Sequence, residues 1–210
     1  MDKKFERYFG NNYGRKIYII SIVLIAIGLA VGFAYFWGYG MPVAIVGVIG
    51  FFISYGIQVS DKDIDDHVLA TVEKYKEEKI EGTLIGKEKL QAKDFSFFYG
   101  YIREDSNTRF VAGSDGKIRT SKYYVTAISA DRNKFIAFTS IYNLLSNDAP
   151  IDDMVYTDSE TEIEFNSEVI EFPNGNKKCT LKTTKGGESK ETVFFVPNDA
   201  LADKLLSNLK

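Results

Sequence analysis

The residues that could carry chemistry are few and far apart. His67 is the sole histidine and Cys179 the sole cysteine. A soft-metal site needs several such ligands, and a Ser-His-Asp or Cys-His arrangement would have to use His67, which falls on the polar side of an amphipathic segment. Cys179 lies in an alternating run and reads as a small strand residue rather than a nucleophile. Gly82-Thr83-Leu84-Ile85-Gly86-Lys87 has three residues between its glycines where a phosphate loop needs four, and Glu88 stands where Ser or Thr would meet magnesium. Asp61, Asp63, Asp65 and Asp66 crowd together, but without the turn glycine and closing glutamate of a calcium loop. These absences argue against the commoner enzyme classes. The expectation is a non-enzyme with no catalytic residue, no metal and no cofactor.

Two basic clusters remain as candidate ligand-binding residues: Lys87, Lys89 and Lys93, then Lys117, Arg119 and Lys122. Together they could meet an acidic ligand if the fold brought them side by side. Glu88 and Asp94 interleave the first cluster, so the plainer reading is a solvated loop and a charge-protected strand edge. Residues 61–210 carry 21 Lys plus Arg against 27 Asp plus Glu, a net of −6. That balance gives no general attraction for nucleic acid or an anionic leaflet, and nucleic acid is not an expected partner.

These residues hang from a chain with two contrasting parts. Residues 17–60 contain no Asp, Glu, Lys, Arg or His. One helix over those 44 residues would be about 66 Å long, roughly twice the hydrocarbon thickness of a bilayer, so two crossings are expected. The break is predicted at Gly38-Tyr39-Gly40-Met41-Pro42, giving spans Ile17–Trp37 and Met41–Val59. Trp37, Tyr39 and Tyr35 at one end, with Tyr18 and Tyr55 at the other, suit membrane interfaces. Lys3, Lys4, Arg7, Arg15 and Lys16 precede the first span and the hairpin loop has no charge, so both termini are expected in the cytoplasm, on an integral cell-membrane protein. A cleaved signal peptide is the weaker reading, because its apolar core would be shorter and no second span would follow. With one cysteine no internal disulfide can form, and no Asn-x-Ser/Thr acceptor occurs. Gly28 with Gly32, Ala30 with Ala34, and Gly50 with Ser54 recur at four-residue spacing and are the candidate helix-packing residues, within the hairpin or towards a second copy or another membrane protein. No ionisable residue lies inside either span and Gln58 sits at the end, so transport lacks its usual groups.

The domain boundaries expected are a basic head at 1–16, a two-helix transmembrane hairpin at 17–60, an amphipathic connecting helix at 61–79 and a β domain with a C-terminal helix at 80–210. Ser60 or Asp61 caps the connecting helix, and Ile64, Val68, Leu69, Val72 and Tyr75 recur at helical spacing. Strands are predicted at 80–86, 95–103, 108–112, 117–130, 134–143, 153–157, 161–165, 168–172, 177–183 and 190–196, with an aromatic face at Phe95, Phe97, Tyr99 and Tyr101. Turns are expected at Ser114-Asp115-Gly116, Asp131-Arg132-Asn133, Pro173-Asn174-Gly175-Asn176 and Lys185-Gly186-Gly187-Glu188. The short spacings demand antiparallel pairing and leave no room for crossover helices. After Pro197, Leu201, Ala202, Leu205, Leu206 and Leu209 form an apolar helix face capped by Asn198 or Asp199.

Lys122-Tyr123-Tyr124-Val125-Thr126 through Phe135-Ile136-Ala137-Phe138 resembles the central hairpin of pleckstrin-homology-like domains. Ile163-Glu164-Phe165, Val169-Ile170-Glu171-Phe172, Thr192-Val193-Phe194-Phe195-Val196 and the last helix resemble their closing half. The resemblance covers residues 80–210 and extends to bacterial members that follow a two-span hairpin. It implies a small β-barrel or sandwich plugged by a helix, and it places Lys87, Lys89 and Lys93 in the loop where many such domains meet acidic headgroups. Residues 149–161 depart from the pattern, being acidic and irregular, without an assignable register. The fold implies no single activity. The leading expectation is a membrane-anchored module binding a protein or peptide. The alternatives are a headgroup-sensing lipid binder and a non-catalytic subunit of a membrane enzyme or transporter.

Overall fold

The computed structural model describes residues 3–10, 13–34, 37–57, 59–85, 88–131 and 134–209. Tyr35, Gln58, Lys87 and the turn residues Arg132 and Asn133 lie outside them, as do the side chains of Lys3, Arg15 and Tyr55. The chain divides into two units, Met1–Ile64 and Asp65–Lys210.

In the first unit, α1 (Lys3–Phe9) precedes α2 (Tyr13–Ala34) and α3 (Trp37–Ile57). At 22 and 21 residues, α2 and α3 are about 33 and 32 Å long, the thickness of a bilayer core. Both are apolar enough to cross a membrane. The predicted break is corrected. Gly38, Gly40 and Pro42 lie within α3, which already begins at Trp37. Gly40 serves close approach instead of chain reversal. A Cβ there would run into the Gly28 carbonyl and the Gly32 backbone, and one on Gly28 would lie 2.5 Å from the Ala44 nitrogen. Pro42 removes one intrahelical bond near the start of α3, where the loss is least disruptive. Further along the seam, a Cβ on Gly47 would meet the Ser21 carbonyl at 2.8 Å, and one on Gly50 the Ser21 hydroxyl at 2.6 Å. Buried Ser21 and Ser54 donate to the carbonyls of Ile17 and Phe51, so their hydroxyls are satisfied within their own helices.

Helix α4 (Asp61–Tyr75) follows. The Asp63 N–H donates to Ser60 Oγ at 3.1 Å, and the Ser60 N–H donates back to the Asp63 carboxylate at 3.0 Å. This reciprocal cap satisfies two backbone donors. With Lys4 also beside it, the cap holds the Asp63 carboxyl down to about 2. Within the first unit, Lys4 pairs with Asp63 at 3.1 Å and Tyr8 donates to Asp61 at 2.6 Å. Ile64, Val68, Val72 and Tyr75 are buried as expected, whereas Leu69 is exposed. The helix ends at Tyr75, and Lys76–Ile80 forms a π-helical turn closed by Glu81 N–H to Lys76 C=O.

The second unit is built from antiparallel strands throughout. A short hairpin, β1 (Leu84–Ile85) and β2 (Glu88–Lys89), precedes β3 (Ser96–Ile102), and a second, β4 (Phe110–Ala112) and β5 (Ile118–Thr120), precedes β6 (Lys122–Asp131). With β7 (Lys134–Asn143) and β8 (Ile151–Thr157) the main sheet has the order β3-β6-β7-β8. The second sheet is a three-strand meander, β9 (Glu162–Ile170), β10 (Asn176–Lys185) and β11 (Glu188–Val196). The acidic stretch without an assignable register contains β8, paired from Phe135↔Thr157 to Ile141↔Ile151. The expected strands 161–165 and 168–172 merge into β9, and 117–130 divides at Ser121. Gly186 and Gly187, both at positive φ, form the two-residue turn between β10 and β11.

The central strand β6 is buried on both faces. Phe98, Ile102, Tyr124, Ile128, Phe135 and Ala137 face β10, β11 and the closing helix α5 (Ala200–Leu206), and Gly100 leaves room for the Tyr124 ring across the strand pair. Tyr101 and Phe97 turn to the other face, where Tyr101 donates to Asp65 and the Lys76 ammonium lies 5.2 Å from the Phe97 ring. Tyr101 and Phe97 thus meet α4 and the π-helical turn after it, not the space between the sheets, while Tyr99 of the same row is exposed. The Asp199 carboxylate caps α5 by accepting from Ala202 N–H at 2.8 Å. Ala202, Leu206 and Leu209 are buried, whereas Leu201 is exposed and Leu205 half-buried, so the plug face is rotated from the expected one.

Leu206→Ala should lower the unfolding free energy of the full chain in detergent by about 2–5 kcal/mol, while Leu201→Ala stays within about 0.5 kcal/mol. Denaturant melts of the two variants check the rotated face. Gly40→Ile should push α2 from α3 and shift the emission of Trp37, the sole tryptophan, whose ring packs beside Gly32. An unchanged spectrum would contradict the glycine seam.

Candidate functional site

Strand β9 has an unusual position for its length. It pairs with β10 from Ile170↔Asn176 to Glu162↔Thr184, and among the described residues no second strand adjoins it. Phe165 lies opposite Leu181 and Ser167 opposite Cys179, both core residues, so Ile163, Phe165, Ser167 and Val169 share the inner face. Yet Val169 is 51% and Ile163 37% exposed. The outer face carries Glu162, Glu164 and Glu168. Glu164 meets Lys182 of β10 at 3.5 Å and Glu168 meets Lys178 at 3.6 Å, both in solvent. Such pairs contribute about 0–1 kcal/mol each. Between β9 and the end of α5 runs a groove of about 270 Å³, lined by Phe165, Ser167, Asp203, Leu206 and Ser207. Lys177 pairs with Asp203 at its rim.

At two other edge strands, side chains reach the backbone. At β8, Lys190 donates to the Met154 carbonyl at 2.7 Å and pairs with Asp153 at 2.6 Å, laying a cation across the strand's backbone. At the end of β3, Asn176 donates to the Tyr101 carbonyl and Thr120 to the Ile102 carbonyl. Among the described residues no such donor reaches the outer backbone of β9. An unpaired row of peptide groups with an apolar inner margin can accept another strand.

The basic clusters do not converge. Lys89 and Lys93 precede β3, and Lys117, Arg119 and Lys122 gather near its far end, so β3, about 20 Å long, separates them. Lys87 lies outside the described residues. Lys89, Lys93 and Lys117 are exposed. Lys122 pairs with Glu104 at 3.0 Å and Asp105 at 2.9 Å, and its hydrogen bond holds the Asp105 carboxyl down to about 2. Arg119 is 1% exposed. Its guanidinium binds Asp65 through Nε at 2.9 Å and Nη2 at 2.6 Å, and Asp115 through Nη1 at 2.9 Å and Nη2 at 2.8 Å. That side chain is a structural pin between α4 and the β4–β5 hairpin, not a surface cation.

Of the helix-packing candidates, Gly28, Gly32, Gly50 and Ser54 lie on the α2–α3 seam, while Ala30 and Ala34 are exposed on another face of α2. Cys179 is fully buried in β10, and burial pushes its thiol up to about 12, so it is protonated and inert. His67 is exposed on α4. Among the described residues no group of three His, Cys, Asp or Glu could hold a metal. A second cavity, about 350 Å³, lies against α4, β7 and β8. Its charges neutralise one another, Lys79 on Asp152 at 2.5 Å and Lys190 on Asp153, with Ser140 donating to Asp152. In comparison with known proteins the chain matches no family model, no curated protein and no solved structure.

The alternation Glu-Ile-Glu-Phe was visible in the sequence, but whether such a strand lies inside a sheet or at its margin is decided by topology. The groove needed the position of α5 as well.

The Arg119 hydrogen bonds hold the Asp65 and Asp115 carboxyls below the usual range. Depressed carboxylates add stability above the unfolded-chain value near 3.9, and that stability is lost as pH falls through the folded values. Melting temperature should therefore fall steeply below about pH 4, and Asp65→Asn should flatten that acid limb. Arg119→Met should cost about 2–3 kcal/mol at neutral pH, less than for a wholly buried pair, because the abandoned carboxylates are a third exposed and rehydrate.

Proposed function

We propose that this chain is a membrane-anchored cytoplasmic interaction module, whose pleckstrin-homology-like β domain holds an extended segment of a protein partner by strand addition to β9. The four-plus-three order of antiparallel strands closed by a helix supports the domain reading. The open edge of β9 carries the functional one, since it combines unpaired peptide groups, an apolar margin and a groove beside them. The two apolar helices form the integral anchor, and a short uncharged connection opposite a basic head favours both ends in the cytoplasm. The seam glycines are used inside the hairpin, which leaves Ala30 and Ala34 as the faces open to a second copy or another membrane protein.

Both halves of this reading can be tested in intact cells. In a Cys179→Ser background, Tyr39→Cys should react with an impermeant thiol reagent and Glu188→Cys should not. The reverse pattern would overturn the topology. A photo-crosslinking residue at Ile163 or Val169 should give one adduct of defined mass, and the same residue at Ile151 on the guarded β8 should not. Equal labelling at both edges would remove the special role of β9.

A further inference from the structure

The charge pattern of β9 specifies what can lie beside it. Its outer face presents Glu162, Glu164 and Glu168, and its inner face Ile163, Phe165, Ser167 and Val169. In a sheet, directly opposed side chains lie about 4.5–5.5 Å apart, close enough for like charges to repel and opposite charges to pair. On the β10 side, Lys182 and Lys178 already stand opposite Glu164 and Glu168. Among the described residues no further ion pair reaches these glutamates from the open side.

A second copy of this chain is a poor occupant. Symmetric antiparallel pairing about Asn166 would set Glu164 opposite Glu168 twice, and a parallel in-register pair would stack all three glutamates on themselves. The acidic row therefore guards β9 against its own kind while leaving it open to a complementary strand. Resting on the strand-addition reading above, we infer that the partner segment is a basic strand in which Lys or Arg alternates with apolar residues. The basic side chains fall opposite Glu162, Glu164 and Glu168, and the apolar ones extend the inner face over Ile163 and Val169. Near Phe165 they reach the groove whose floor is Leu206 and whose rim holds Asp203.

The test uses the full chain in zwitterionic nanodiscs, with empty nanodiscs as the control, and three labelled nine-residue peptides. One alternates Lys with Val, one has Glu for every Lys, and one is the Lys peptide with a central proline. The Lys peptide should bind and slow hydrogen exchange of the β9 amides. Glu164→Gln/Glu168→Gln should weaken it about tenfold, and added salt should weaken it further. The proline peptide, lacking one peptide N–H, should bind at least about tenfold more weakly. If the Glu peptide protects β9 as well as the Lys peptide, strand addition stands and the basic assignment falls. If no peptide protects β9, strand addition itself fails. If the proline and Lys peptides bind equally, without protecting β9, the attraction is diffuse charge and both are overturned.

Discussion

A guanidinium sealed from water and shared by two carboxylates organises the second unit. Arg119 reaches Asp65 at the start of that unit's share of α4 and Asp115 in the turn between β4 and β5. Isolated, such a cation would be intolerable in the interior. With four charge-assisted hydrogen bonds it is satisfied and directional. Tyr101 adds a bond to the same Asp65, and Tyr123 donates to Thr71 one turn and a half further along α4. The helix is thereby registered along the main sheet, not merely laid on it by apolar contact. Once α4 covers one face, β10, β11 and α5 cover the other, and β6 is buried on both sides.

That division of labour explains why one strand is left at the margin. Sheet-on-sheet packing concentrates on β10 and β11, where Cys179, Leu181, Phe194 and Val196 are fully buried. Strand β9 contributes only the half-buried Phe165 and Ile170 to the margin of the core. Its backbone is nonetheless regular over nine residues. A strand that is ordered but barely needed for packing is free to be read by something outside the unit.

Much of this was legible in the residues. Apolar runs without charge announced the two long apolar helices, Ser60 or Asp61 was expected as the cap and Ser60 proved to be it, and Gly186-Gly187 announced a tight hairpin. What misled were residues with two physical uses. Gly38, Gly40 and Pro42 read as a chain break, yet Gly40 is there because the backbones of α2 and α3 touch. Phe97 and Tyr101 read as part of one aromatic face, and only the fold shows that this face receives α4 and the turn after it. Arg119 read as a surface cation because its two acidic partners lie 54 residues before it and 4 residues before it, and only one of these is a neighbour in sequence. Leu201 and Leu206 both fit a helical stripe, and the direction from which α5 docks decides between them.

The meander topology bears on the order in which the chain assembles. Strands β6 to β8 and β9 to β11 pair with their immediate successors, so each hairpin can close as a local event with a small entropic cost of loop closure. The closing helix is the exception. Ala202, Leu206 and Leu209 complete an apolar cluster whose other members lie up to about a hundred residues earlier, from Phe98 onward. Tyr124 and Phe195, whose rings lie 5.7 Å apart, belong to that cluster, so a chain lacking α5 would leave it incomplete.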